Sequence, residues 1–259
     1  MKTPTAIRAL AVASAAALSL GLAACGESEP SMTIEEGVLT VCTNPPYAPF
    51  EDLVGGEVVG FDMDLMTEVA KDLDLEVAFV EAPFEAIESA AALDTGTCDV
   101  GASGLTITED RLAKLDFSQP YYETTMGLLV KADSGVKGLA DLKGKPVGVQ
   151  QGTTGEDWAR AQEELTEDTI KQFESLGDQV TALKSGDVAG IFNDEPTLTP
   201  YVEEGFAVVG AFDTGEEFGF AAKKGSTDLI DAINKTLDRV TSDGTYETLV
   251  EKWFTKSAD

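Results

Sequence analysis

Short β-rich runs alternate with helical stretches along almost the whole chain, and the series runs through twice. Residues 38–43 predict a first strand, and Leu65, Met66, Val69, Ala70 and Leu73 share one face of a predicted helix over 62–73. Strands are expected over 75–81 and 99–103, with a helical stretch over 84–93 between them. An apolar strand over 126–131 leads into a loop at Asp133-Ser134-Gly135. The order then restarts, with strands over 146–150, 170–173, 189–192 and 207–210 and helices over 155–164 and 177–185. An extended run over 218–223 precedes an amphipathic helix bearing Leu229, Ile230, Ile233, Leu237 and Val240, and a last helix carries Tyr246, Leu249, Val250, Trp253 and Phe254. Such alternation is the signature of α/β architecture with parallel-rich sheets. Two such units in series, with the chain returning at its end, predict two lobes joined by two crossings. Lobe 1 is expected to comprise 37–128 and 219–259, and lobe 2 to comprise 129–218. A ligand would then sit between them, outside the carboxyl ends of the strands.

The first residues carry a different message. Lys2 and Arg8 precede an uncharged Ala- and Leu-rich run from 9 to 24, which reads as an export signal over 1–24. That run is too short, and too diluted by Ser14, Ser19 and Gly21, for the roughly 20 apolar residues of a spanning helix. It ends in Leu22-Ala23-Ala24-Cys25, which resembles the lipobox of bacterial lipoproteins, so Cys25 is expected to carry lipid and hold the chain at the outside of a bacterial cell membrane. Residues 25–36 are expected to form a lipidated flexible spacer before the fold.

Without Lys2 and Arg8, 16 basic residues face 47 acidic ones, a net charge of −31. That surface repels nucleic acid and anionic headgroups, so neither is an expected partner. With Cys25 assigned to lipid, Cys42 and Cys98 remain as a candidate disulfide in an oxidising compartment; two buried free cysteines are the alternative. The chain has no histidine and no cysteine pair at zinc spacing, so no metal or cofactor is expected.

The segment richest in chemistry is Ser103-Gly104-Leu105-Thr106-Ile107-Thr108-Glu109-Asp110-Arg111, followed by Asp116-Phe117-Ser118-Gln119-Pro120-Tyr121-Tyr122. A strand ends at Ser103, small residues follow, and Thr108 can cap a short helix through Arg111. Hydroxyls, free N–H groups and a guanidinium at one strand end suit a carboxylate, which arginine grips in a fork. An ordinary capped helix whose Arg111 pairs with a neighbouring acid fits the spacing equally well.

This segment resembles the signature of the family 3 extracellular solute-binding proteins, which serve polar amino acid ABC transporters. The resemblance extends to Thr43-Asn44-Pro45-Pro46-Tyr47-Ala48-Pro49-Phe50-Glu51, to Gly60-Phe61-Asp62-Met63-Asp64-Leu65 and to Gly244-Thr245-Tyr246 with Trp253. It implies a two-lobed periplasmic-binding-protein-like fold of type II and a monomer that hands a free polar amino acid to a membrane permease. It also implies residue roles. Tyr47 and Phe84 would flank the ligand side chain. Gly104, Thr106 and Arg111 would hold the α-carboxylate from one lobe and Thr154 would meet it from the other, with Ser103, Gln150 and Thr153 also among the ligand-binding residues. Asp194 would bind the α-ammonium, closing the lobes on a zwitterion. The stretch 148–154 lacks the lysine and spacing of a phosphate loop.

Asn44 stands where relatives selective for cationic side chains carry an acid, which favours a neutral, glutamine-like side chain. Glu51, Asp62 and Glu81 would favour arginine or lysine if they reach the same pocket. Ser89 replaces a proline frequent in the family and carries no functional expectation. Two rival classes remain: an enzyme of this fold, such as a cyclohexadienyl-type dehydratase, and a ligand-sensing protein for a receptor. Catalysis would need a positioned acid, and Glu85, Asp62 and Asp194 are the candidates. Gly101-Ala102-Ser103-Gly104-Leu105 lacks the final glycine of a nucleophile elbow, and the chain has no histidine to serve it, so a binding protein without turnover is the expectation.

Overall fold

The computed structural model describes residues 32–255; the predicted signal (1–24) and Cys25 lie outside them. In chain order the elements are β1 (Val38–Thr43), β2 (Asp52–Val54), β3 (Glu57–Val59), α1 (Phe61–Asp72), β4 (Glu76–Glu81), α2 (Phe84–Glu88), α3 (Ala91–Asp94), β5 (Val100–Gly101), α4 (Glu109–Leu112), β6 (Leu115–Phe117) and β7 (Tyr122–Lys131). There follow β8 (Val147–Gln150), α5 (Thr154–Arg160), β9 (Ile170–Phe173), α6 (Leu176–Ser185), β10 (Gly190–Asp194), α7 (Glu195–Leu198), β11 (Phe206–Phe218), β12 (Ala221–Lys223), α8 (Thr227–Asp243) and α9 (Thr245–Phe254).

These elements make two five-stranded sheets, ordered β4-β1-β5-β12-β6 and β11-β7-β10-β8-β9. In the first, β4, β1 and β5 are parallel and β12 runs antiparallel to β5 and β6. In the second, β9, β8 and β10 are parallel, and β7 runs antiparallel to both β10 and β11. Each lobe is therefore a mixed sheet with a parallel half. The ends of β1, β5, β8 and β10 deliver Asn44, Ser103, Gln150 and Asp194 to one cavity.

The chain crosses between the sheets twice, at residues 118–121 and at Gly219-Phe220. The two crossings are bonded to each other: Ser118 N donates to Phe220 O, and Phe220 N to Ser118 Oγ, both at 2.9 Å. Tyr121 stacks on Phe220 with ring centroids 4.2 Å apart. All of β7 belongs to the second sheet, so the first crossing precedes Tyr122 and does not fall at residue 128 as expected. The apolar run 126–131 marked only the buried half of that strand; its first residues, Tyr122-Glu123-Thr124-Thr125, carry no apolar signal.

Other boundaries moved for local reasons. The expected helix over 84–93 is two short helices, broken where Ala90 takes φ +74°. The hairpin β2–β3 turns at Gly55-Gly56, both at positive φ, the two-residue geometry that glycine supplies most readily. The spacer expected over 25–36 is structured at its end. Ile34 N donates to Asp99 Oδ1 at 2.7 Å and Glu35 bridges to Val38, so the fold begins before Gly37.

The core forms where the pattern placed it. Leu229, Ile230, Ile233, Leu237 and Val240 of α8 are all buried, and Arg239 ties that helix to Glu68 and Asp72 of α1. From α9, Phe254 packs on Phe50, Phe61 and Tyr122. Cys42 and Cys98 form a disulfide, with Cα atoms 5.7 Å apart, that clips β1 to the approach of β5. The alternative of two free cysteines is thereby set aside.

Candidate functional site

Eleven residues line a narrow cavity between the sheets: Asn44, Tyr47, Phe84, Ser103, Gly104, Thr106, Arg111, Gln150, Thr153, Thr154 and Asp194. The free space among them is about 10 Å³, room for about one water molecule, so the two walls nearly meet.

Thr108 caps α4, accepting from Arg111 N at 3.2 Å. Arg111 is 4% exposed. It donates to Thr106 O and, across the cleft, to Gly152 O, each at 2.8 Å, and lies 5.4 Å from the centre of the Phe84 ring. Nε stands 3.7 Å from Glu88 Oε2, so the neighbouring-acid pairing also exists, loosely. Burial lowers the affinity of this guanidinium for its proton; Glu88 and Glu216 raise it.

Gly104 sits at φ +52°, and a Cβ there would meet Tyr47 Cε1 at 2.8 Å. A glycine is therefore required where the loop runs beneath the tyrosine ring. Thr106 and Thr154 face each other across the cleft with hydroxyl oxygens 3.5 Å apart. Thr153 caps α5, accepting from Glu156 N, and Thr154 Oγ1 donates to Glu216 Oε2 at 3.2 Å.

Asp194, at the end of β10, is 6% exposed. Its Oδ2 accepts from the Tyr47 hydroxyl, which also reaches Asn193 Oδ1 at 2.7 Å; its Oδ1 has no hydrogen-bond partner. Burial and, next, the charge of Glu216 push the Asp194 carboxyl up to about 7, against the lowering effect of the Tyr47 hydroxyl. Asn193 is itself held, donating from Nδ2 to Gln179 Oε1 at 2.9 Å.

Asn44 Nδ2 donates to Ala82 O at 3.0 Å, while Asn44 Oδ1 accepts from Gln150 Nε2 at 2.9 Å, joining the lobes by an amide pair. The three acids named with the pocket lie differently. Glu81 is exposed at the end of β4 and does not line the cavity. Glu51 and Asp62 are buried one layer behind the wall. Glu51 Oε1 is hydrogen-bonded to Ser103 Oγ. Asp62 accepts from Gly104 N at 2.9 Å and from Tyr121 Oη at 2.8 Å, and burial raises it to about 7. Among the described residues, no group of three or more Cys, Asp or Glu side chains is placed to hold a metal ion.

Several residues of this neighbourhood escaped the sequence reading. Asn193 directly precedes Asp194 at the end of β10 and could have been found there. Glu216 lies in the acidic run 213–217, where nothing distinguishes it from a solvated face.

Residues 39–256 match the family model of the bacterial extracellular solute-binding proteins, family 3. The chain is 32% identical over 235 residues to a probable histidine-binding protein of Campylobacter jejuni, covering 89% of this chain and 88% of the relative. It is 34% identical over 204 residues to an ABC transporter glutamine-binding protein of Bacillus subtilis, covering 76% and 73%. Among solved structures, an ancestral arginine-binding protein bound to glutamine superposes with a TM-score of 0.79 at 38% identity, over 86% of this chain and all of that one.

Proposed function

The chain belongs to the family 3 bacterial extracellular solute-binding proteins, and on that premise we propose that its cavity captures one polar amino acid for an ABC importer. The observation that carries this reading is the charge of the lining. Arg111 and Asp194 are the two charged residues among the eleven, and they come from opposite lobes. Arg111 offers its donors to an α-carboxylate, with Thr106 and Thr154 beside it. Asp194 offers to an α-ammonium a buried oxygen that has no partner of its own. A zwitterion satisfies both, and its contacts are complete only when the lobes are together.

Tyr47 and Phe84 confine the stem of the ligand side chain, and the Asn44–Gln150 amide pair meets its polar end. With Glu81 at the surface, and Glu51 and Asp62 behind the wall, the lining has no acid for a cationic side chain apart from Asp194. A glutamine-like ligand is therefore favoured over arginine or lysine. Binding without turnover is the role proposed, since the relatives reported above are named as binding proteins. Cys25 is proposed to carry the lipid anchor. Calorimetric titration of the unlipidated protein with single amino acids tests the binding reading. Saturable 1:1 binding of one polar amino acid, lost in Arg111→Ala and Asp194→Ala, supports it; consumption of the ligand would support an enzyme instead.

A further inference from the structure

Two backbone carbonyls fix the polarity of the amide pair. Ala82 O accepts from Asn44, so that side chain must present Nδ2 there and Oδ1 to the cleft. Gln150 Nε2 spends its protons on Asn44 Oδ1 and, at 3.3 Å, on Glu174 O. Gln150 Oε1 is left to accept.

The polarity of Ser103 depends on Glu51. Ser103 Oγ accepts from Asn44 N at 3.2 Å and is hydrogen-bonded to Glu51 Oε1. A serine oxygen accepts twice and donates once. If Glu51 is ionised, Ser103 spends its proton on it and shows the cavity a lone pair. If Glu51 is a neutral acid, it donates to Ser103, both serine lone pairs are filled, and the Ser103 proton turns to the cavity.

The surroundings favour the neutral acid. Glu51 is 0% exposed, and its Oε2 has no hydrogen-bond partner. The charged or titratable groups that face it are Asp62 from α1, Asp194 from β10, Tyr47 from its own turn and Tyr121 from the first crossing. None of these is a cation. A buried carboxylate with one hydrogen bond and two acidic neighbours is strongly disfavoured. Burial first, then Asp62, holds the Glu51 carboxyl well above the usual range.

We propose that Glu51, without touching the ligand, acts as a positioning residue: as a neutral acid it donates to Ser103 and commits that hydroxyl to donate into the cavity. One donor, Ser103 Oγ, and one acceptor, Gln150 Oε1, then complement a carboxamide. A cationic side chain has nothing for that donor to meet. This inference rests on the amino acid reading above.

Two measurements on the full protein test it. In protein labelled with ¹³C at glutamate carboxyls, the Glu51 signal should keep its protonated position from pH 6 to 8; the ionised position would overturn the proposal, and no variant is needed to see it. In calorimetry, L-glutamine should bind at least about tenfold tighter than L-arginine or L-lysine, the scale of one matched hydrogen bond. Glu51→Ala should narrow that ratio and Glu51→Gln, whose amide can still donate to Ser103, should restore it. Tighter binding of arginine or lysine by the wild type would overturn the proposal. Failure of every amino acid to bind would instead defeat the underlying reading, and the carboxyl signal would still report on Glu51.

Discussion

Asp194 places two opposite pH dependences in one side chain. Its carboxyl is pushed up to about 7, chiefly by burial. A ligand ammonium needs it ionised, so affinity should be full above pH 7 and fall about tenfold for each unit below. Titrations at pH 8, 6 and 5 check this; an affinity that is flat across them would remove Asp194 from ammonium binding. Stability without ligand runs the other way. The folded-state value lies above the unfolded one, so this group's contribution is complete below about pH 4 and is lost as pH rises through 7. Arg111→Ala removes the donors to Thr106 O and Gly152 O along with the carboxylate partner. It should weaken binding by roughly 2–5 kcal/mol, the usual cost of removing one side of a buried charge pair, as read from the dissociation constant. Gly104→Ala should both destabilise the protein and weaken binding, because the new methyl group meets Tyr47 at 2.8 Å in a positive-φ loop. A melting temperature unchanged by that substitution would contradict the packing described.

At the scale of elements, one side chain ties the lead-in at Ile34 to β1. Asp99 accepts from Ile34 N at 2.7 Å and Thr40 N at 2.8 Å. Asp99→Ala should cost about 1–3 kcal/mol in urea unfolding and speed amide exchange at Ile34 before that of β1. None of this was legible in the sequence, where 25–36 reads as spacer because a polar stretch without periodicity does not reveal that its N–H groups have a partner 65 residues away. Elements with a full hydrophobic period were legible. β1 and β9 were placed to the residue, and every apolar residue on the buried face of α8 was named, though not the buried Thr236. Three-residue strands such as β2, β3 and β6 are shorter than any period that could announce them. The eleven lining residues were legible for another reason: the short motifs that carry them resemble those of a known family, and that resemblance, not periodicity, pointed to them. Glu81 misled because nearness in sequence to Ala82 and Phe84 says nothing about which side of the strand end it leaves.

At the scale of the whole molecule, the two lobes meet across the cavity. Arg111–Gly152, Asn44–Gln150, Tyr47–Asp194 and Glu85–Gln151 all join the lobes, and the paired crossings at Ser118 and Phe220 connect them along the chain, the expected hinge of a family member. Ligand should therefore shift the population toward the closed form and shrink the radius of gyration in small-angle scattering. At a hundred times its dissociation constant it should add about 2.7 kcal/mol of stability. The experiment to run before all others is calorimetric titration of the refolded, ligand-stripped wild type and of Arg111→Ala with each common L-amino acid. The expected result is 1:1 binding of one polar amino acid by the wild type and its loss in the variant. Binding that survives Arg111→Ala unchanged, or no binding to the wild type at all, would contradict a zwitterion held between Arg111 and Asp194.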